Sequence, residues 1–498
     1  SLQSFTYGPG DRVETLADAT GTTTHHYDAR GRYTGLTQPT GGSVSYDRDA
    51  NGEITSVGVR APADTAPRTT TYVRDGNGHI LEVHDPLGGV TAMTYDAEGR
   101  LATRTLPNGI YSTWAYDARS RITSIVHRRS TTGPVIVSVA YVRAPSGEPT
   151  RITREDGTYV EYGYDTALRL TRETYHAADD SVSDEIGYTY DRDGNRLTRT
   201  TSLGLETYHY GPGSELLSVD RDGTTIATYT YDDDGRVTSI TRDGATQVLG
   251  WDADDHVTSI TKGDEEWHWA FDAQGRRVRV EHDVAGVADD AQRWVVGRTL
   301  SERLESPHAA TADDGTAQTG WVFAGEHPLF RYDAAGAAVY YLDDAMGSVV
   351  GVADAAGGSA TIKYDAFGNE GAESGTLGRT SLGGEFRFHG MWSDSELGLY
   401  YVRARAYDPA TGRFLSRDRF VASRYQPETA GSYLFCADNP LARHDPQGTY
   451  SLPEASTVVN VIAVGAAIGA SSSFLGNLTR FLCSREYTAG AFALDTLT

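Results

Sequence analysis

Tyr231-Asp232-Asp233-Asp234-Gly235-Arg236 is the stretch that decides the fold, because the chain repeats it. The pattern Tyr-Asp-x-x-Gly-Arg stands again at Tyr27–Arg32 and at Tyr95–Arg100. Degraded copies lie at Tyr46-Asp47, Tyr72 with Asn77-Gly78, Tyr116-Asp117, Tyr164-Asp165, Tyr190-Asp191, Trp251-Asp252, and Phe271-Asp272 ahead of Gly275-Arg276. The copies recur roughly every 19–26 residues, at the short end of the periods that mark repeat architectures. One supersecondary unit has been copied many times.

Around the stretch, Thr228-Tyr229-Thr230-Tyr231 precedes the acidic break and Val237-Thr238-Ser239-Ile240-Thr241 follows it. β-Branched and aromatic residues suit a pleated, half-buried surface. Asp bonds its own backbone in turns and Gly supplies positive φ. Each unit therefore reads as a β-hairpin, and the next strand follows a second break such as Arg242-Asp243-Gly244. A lone hairpin is marginal in water, whereas stacked hairpins pair their edges and bury one face continuously. With 30 Tyr against 3 Met, the core is tyrosine-lined sheet rather than helix. The repeated Asp residues are scaffold on this reading, not catalytic acids.

At 498 residues the chain is long for one ordinary core, but a repeat sheet grows in one direction. A formal net charge of −24 argues against a basic nucleic-acid surface on this sheet. Two cysteines, Cys436 and Cys483, make no disulfide framework, and free thiols are expected. No His/Cys/Asp spacing resembles a zinc site, the Asp-rich turns lack a calcium-loop pattern, and no phosphate-binding motif occurs. No metal or cofactor is expected. The chain opens at Ser1 in what reads as mid-repeat, as a trimmed or processed piece of a longer protein does.

Near Asp343 the periodic pattern gives way to an ordered series of other motifs. They are Lys363-Tyr364-Asp365-Ala366-Phe367-Gly368, then Gly398-Leu399-Tyr400-Tyr401-Val402-Arg403-Ala404-Arg405-Ala406-Tyr407-Asp408-Pro409 with Gly412-Arg413-Phe414, then Asn439-Pro440 and Asp445-Pro446-Gln447-Gly448. With these motifs the chain resembles an RHS/YD-repeat protein, and residues 340–448 resemble the RHS core-associated region. The resemblance implies an all-β fold: a spiralling hairpin sheet over residues 1–339 that forms a hollow shell, closed by residues 340–448. It also implies a variable toxin-like tail at 449–498, helical or irregular, held inside as cargo. Relatives of this kind include bacterial polymorphic toxins, C components of insecticidal toxin complexes and animal teneurins. Secretion or cell-surface display follows from that likeness, as does a second shell protein or delivery apparatus as partner. The alternative is a teneurin-like surface or adhesion spacer without cleavage.

The family resemblance further implies autocatalytic cleavage by two aspartates, which places Asp445 and Asp418 as the pair and the cut just after Gly448. Two close carboxylates share one proton, so one activates water while the other donates. Arg417 is expected to orient a carboxylate by a bidentate contact, and Asp438 stands nearby as a substitute for either acid. This chain departs from the family at Asp418-Arg419-Phe420, where Asp-Pro-x-Gly is usual, and at Thr449, where Leu is common. In the tail, Val458–Thr479 carries no charge and is long enough to span a bilayer as a helix. Gly465 and Gly469 form a close-packing G-x-x-x-G within it. Toxin cargo, a membrane-contacting helix and a helix packed on the sheet stay open as readings of this segment.

Overall fold

The computed structural model describes residues 3–300, 304–371, 374–375, 377, 385–419, 431–449 and 452–453. The described residues are 57% strand and 1% helical, so the all-β expectation holds. Thirty-four antiparallel strands, from Ser4–Gly8 to Ser374–Gly375, form one sheet. Strands adjacent in the chain pair with each other along it, as the first two do through Phe5 and Leu16 and the last two through Thr361 and Ser374.

The repeat motif builds the turn by local chemistry. Asp232 Oδ1 accepts hydrogen bonds from the backbone N–H of Asp234 and Arg236 at 3.1 and 2.9 Å, and its Oδ2 accepts from Arg236 Nε at 2.7 Å. Asp28 does the same with Arg30 and Arg32. The opposite ends of the strands close by shorter connections. Asp243 and Gly244 both take positive φ, 51° and 81°, which is the two-residue turn that matches strand twist. The tyrosine before each Asp has its own task. Tyr95, Tyr116 and Tyr190 donate their hydroxyls to the carbonyls of Ile80, Leu101 and Leu170 at 2.7–2.9 Å, each tying its hairpin to the one before.

So many twisted strands cannot stay flat, and the sheet coils. The Tyr46 hydroxyl donates to the Arg298 carbonyl at 2.9 Å across 252 residues of sequence. Tyr72 reaches the Phe323 carbonyl across 251, Asn108 reaches Asp354 across 246, and Lys363 reaches Asp156 across 207. Across these four pairs the separation in sequence goes from 252 residues to 207. Val44, Tyr72 and Val83 from early strands share a core with Val295, Phe330 and Leu342 from late ones. The sheet is not closed by strand pairing, since its first and last strands each pair on one side.

The main sheet runs past residue 340 to Gly375, and a five-stranded meander then spans Glu385–Phe386 to Arg413–Phe414. Three arginines of the large sheet receive three acids of the small one. Arg242 meets Asp408 at 2.6 Å, Arg277 meets Asp394 at 2.9 Å and Arg331 meets Glu385 at 2.7 Å. Phe386, Trp392, Leu399 and Leu415 pack into the core of the large sheet beside Trp269, Trp294 and Trp321. Among the described residues no helix is long and apolar enough to cross a membrane. The expectations for the tail, including 458–479 and Cys483, lie outside the described residues; Cys436 carries a free thiol.

Candidate self-cleavage site

Asp445-Pro446-Gln447-Gly448-Thr449 is one more copy of the repeat turn. Asp445 Oδ1 accepts from the Thr449 N–H at 3.0 Å, and Gly448 has a φ of +70°. In the turns at Asp28 and Asp232 the fifth residue is an arginine that fills Oδ2 of its own Asp. Here the fifth residue is Thr449, and a guanidinium arrives from another strand instead.

That guanidinium belongs to Arg405, at the head of the strand Arg405–Asp408. Its Nη2 lies 3.5 Å from Asp445 Oδ2 and 3.3 Å from Asp418 Oδ2. Its Nε donates to the Gly448 carbonyl oxygen, and its Nη1 donates to the Ser432 carbonyl at 3.1 Å. The guanidinium carbon sits 3.5 Å from the centre of the Phe414 ring, a cation–π seat. Burial pulls the Arg405 pKa down, and the Asp418 and Asp445 carboxylates oppose this. The Asp418 N–H donates to the Ser432 carbonyl at 2.7 Å, so one carbonyl positions both Asp418 and Arg405. The two acids differ in access: the Asp445 side chain is 2% exposed and that of Asp418 is 19%.

The turn's backbone is gripped residue by residue. Arg403 Nη1 donates to the Pro446 carbonyl, the Ala404 N–H to the Gln447 carbonyl at 3.2 Å, and Arg405 Nε to the Gly448 carbonyl. Three consecutive residues hold three consecutive carbonyls. Arg403 is itself anchored to the large sheet through the Glu305 carbonyl at 2.8 Å.

Of the residues expected here, the fold brings Asp418 and Asp445 onto one guanidinium. Arg417 is a correction. Its Nη2 pairs with the Glu215 carboxylate and its Nε meets the Tyr433 hydroxyl at 3.2 Å, so it ties the segment to the large sheet. The arginine between the two acids is Arg405. Its signal in the sequence was the alternation Arg403-Ala404-Arg405 inside an otherwise apolar strand pattern, since a buried guanidinium requires an anionic or carbonyl partner. Asp438 sits apart from the pair. It is buried near Arg196, Arg413 and Arg169, and burial pushes its carboxyl up to about 7. Cys436 is packed with Phe388, Met391 and Phe435, and burial pushes its thiol well above the ordinary value. A neutral thiol is a poor nucleophile. His389 and His444 stack with ring centres 5.1 Å apart, and burial lowers both, His444 to about 3. Among the described residues no group of three or more His, Cys, Asp or Glu side chains is disposed to hold a metal ion.

Comparison with known proteins agrees with the repeat. The RHS Repeat family model matches residues 74–111 and 95–132. The tRNA3(Ser)-specific nuclease WapA of Bacillus spizizenii is 25% identical over 396 residues, covering 76% of this chain and 16% of that protein. The probable deoxyribonuclease RhsA of Dickeya dadantii is 25% identical over 464 residues, covering 89% of this chain and 30% of that one. The chain thus spans less than a third of either relative. A crystal structure of TcdB2-TccC3-Cdc42 overlaps 93% of this chain and 29% of that one at 18% identity and a TM-score of 0.41, too low to carry weight. Hairpins closed by Tyr-Asp turns and stitched into one coiled sheet define a YD-repeat β-protein. The chain carries RHS repeats over residues 74–132 and is similar to those two nucleases.

Proposed function

We propose that this chain is an RHS shell piece that encloses the polypeptide following residue 448 and frees it by cutting its own backbone after Gly448. The observation that carries the reading is the convergence of Asp418, Asp445 and the Gly448 carbonyl on the Arg405 guanidinium. Asp418, the more exposed acid, takes a proton from a water molecule whose oxygen adds to the Gly448 carbonyl carbon. Asp445 lies at the Thr449 nitrogen and gives it a proton as the carbon–nitrogen bond breaks. The products are a carboxylate at Gly448 and an amine at Thr449. The pair works because two adjacent acids hold one proton between them.

Enclosure is supported by the coil, whose successive turns abut each other from Tyr46–Arg298 to Asp156–Lys363. The toxin relatives extend far beyond the matched part, and the segment after residue 448 is read as cargo of that kind. Secretion or surface display, and a partner shell or delivery apparatus, complete the reading. Intact-mass measurement of the purified protein tests it. The wild-type chain is expected to appear as two fragments divided after Gly448, and Asp418→Asn and Asp445→Asn as single chains. Wild type that stays whole under all conditions ends the self-cleavage reading. The cut segment is also expected to co-elute with the sheet and resist added protease until the sheet is unfolded; digestion at once in the folded particle would end enclosure.

A further inference from the structure

Asp418 stands between two arginines that are both tied to the large sheet. Arg417 pairs through Nη2 with the Glu215 carboxylate, and Arg419 donates from Nε to Asp255 Oδ2 at 2.9 Å. Those two acids lie in repeat turns that are not neighbours. The turn between them, 232–236, is held as well, because the Tyr433 hydroxyl donates to the Gly235 carbonyl at 2.7 Å. Two earlier turns join the row. Arg413 bridges 191–195 and 211–215, with Nη1 on Asn195 Oδ1 at 3.0 Å and Nη2 on the Ser214 carbonyl at 2.6 Å. Asn439 Nδ2 donates to the Leu168 carbonyl, in the turn 165–169, at 2.7 Å. Residues 413–419 and 431–439 thus lie as a strap across five successive turns. Three of these bonds fall on the same atom of the repeat, the carbonyl of the fourth turn residue, at Leu168, Ser214 and Gly235. In the turns at Asp49 and Asp75 that carbonyl is taken by the arginine just before the turn, Arg48 or Arg74, at 2.8 and 3.1 Å. Tyr164, Tyr210 and Tyr231 stand at that place in the strapped turns and leave the carbonyl to the strap.

Neighbouring strands lie about 4.8 Å apart, so the turns that hold Arg417 and Arg419, four strands from each other, are separated by about 19 Å. A hairpin absent or slipped within that row moves one anchor by about 10 Å, far beyond the reach of a hydrogen bond. We propose that the strap gates the cut: Asp418 comes to Asp445 and Gly448 only when the five turns stand in register, so the backbone is cut in a folded shell and not before. Glu215, Asp255 and Tyr433 are positioning residues in this scheme, acting through Arg417, Arg419 and the strap rather than on the reacting atoms. The inference rests on the self-cleavage reading and adds to it what times the cut.

The test uses the full chain, with the cut followed by intact mass, rates taken per folded molecule and the melting temperature of each variant measured. Glu215→Ala, Asp255→Ala and Tyr433→Phe are expected to slow the cut by about 10-fold to 100-fold, as a displacement of about 1 Å in a reacting group does. The pH profile of the rate is expected to keep its shape, because no acid of the reaction has been removed. Exchanging the charges, Glu215→Arg with Arg417→Glu, is expected to recover most of the rate lost in Glu215→Ala. Glu98→Ala breaks a pair with Arg100 in the turn 96–100, outside the row, and is expected to leave the rate unchanged. Should Glu215→Ala fail to fold, Tyr433→Phe, which loses a single oxygen, decides the matter. If wild type cuts and the folded variants cut at the wild-type rate, this inference fails while self-cleavage stands. An equal slowing in Glu98→Ala, or a loss that the exchanged pair does not recover, would overturn it too. If wild type does not cut, both fall.

Discussion

Arg277 and Asp394, 117 residues apart in the chain, meet through a guanidinium Nη1 that is 2.9 Å from each carboxylate oxygen. The Arg277 side chain is 4% exposed, and it lies over the rings of Trp269 and Tyr401 at 4.9 and 4.0 Å. Burial pushes the Asp394 carboxyl up, and Arg277 opposes that shift. The pair joins the large sheet to the small one at the centre of an aromatic cluster. Its worth is to fix where the small sheet sits, and with it Arg403 and Arg405.

Removing one partner leaves a buried, uncompensated charge. Asp394→Ala is expected to destabilise the chain by about 3–5 kcal/mol. Replacing both partners by Arg277→Met with Asp394→Leu is expected to recover most of that loss. Urea denaturation of the single and double variants measures it, and a single-variant loss under about 1 kcal/mol would be no more than a surface pair gives.

The coil is tested at Tyr46. Its hydroxyl bonds the Arg298 carbonyl, and its ring is buried against Val44 and Val295. Tyr46→Phe removes the hydrogen bond alone and is expected to cost about 1 kcal/mol. Tyr46→Ala also empties the ring's place and is expected to cost about 3–5 kcal/mol. Equal, negligible losses in both variants would mean that the early and late strands do not pack as described.

Stability is expected to fall as pH rises through neutrality. Glu173 is wholly buried, and burial, then the charge of Asp365, pushes its carboxyl up to about 7. Asp344 is likewise raised to about 6 by burial. A raised carboxyl binds its proton more tightly in the folded chain than in the unfolded one. Its contribution is thus complete below the ordinary carboxylate range and is lost as pH climbs through the folded value. The melting temperature is expected to drop between pH 5 and pH 8, an interval set around those raised values. Glu173→Gln, which keeps the hydrogen-bonding shape without the titration, is expected to flatten that drop. An unchanged slope in Glu173→Gln would assign the pH dependence elsewhere.

Gly448 is required by backbone shape as well as by space. Its φ is +70°, and a Cβ there would stand 2.3 Å from the Val402 carbonyl oxygen. Gly448→Ala is expected to displace the carbonyl from Arg405 and stop the cut. Gly88→Ala, at a similar φ of +86° but in open space, is expected to leave it intact. Intact mass separates the two, and an uncut Gly88→Ala would show that turn strain anywhere in the sheet is enough.

The repeat was legible because its chemistry is local. Asp232, Gly235 and Arg236 meet within five residues, so the spacing Tyr-Asp-x-x-Gly-Arg states the turn it makes. The same locality made Asp445-Pro446-Gln447-Gly448 readable as a turn, while the candidate cut came from the family resemblance. Arg417 shows where this stops. Beside Asp418 in sequence, it was the natural partner for that acid, yet its guanidinium goes to Glu215, 202 residues away.

By itself, then, the sequence determined the hairpins and their order along the sheet, because each is written within a short run of residues. Only the tertiary structure decided that Arg405 stands between Asp418 and Asp445, and that Tyr46 meets Arg298. Those meetings depend on twist accumulated over many strands and on where the small sheet docks. A small change in either moves a side chain by whole residues at the far end, and no single segment of the chain records the sum.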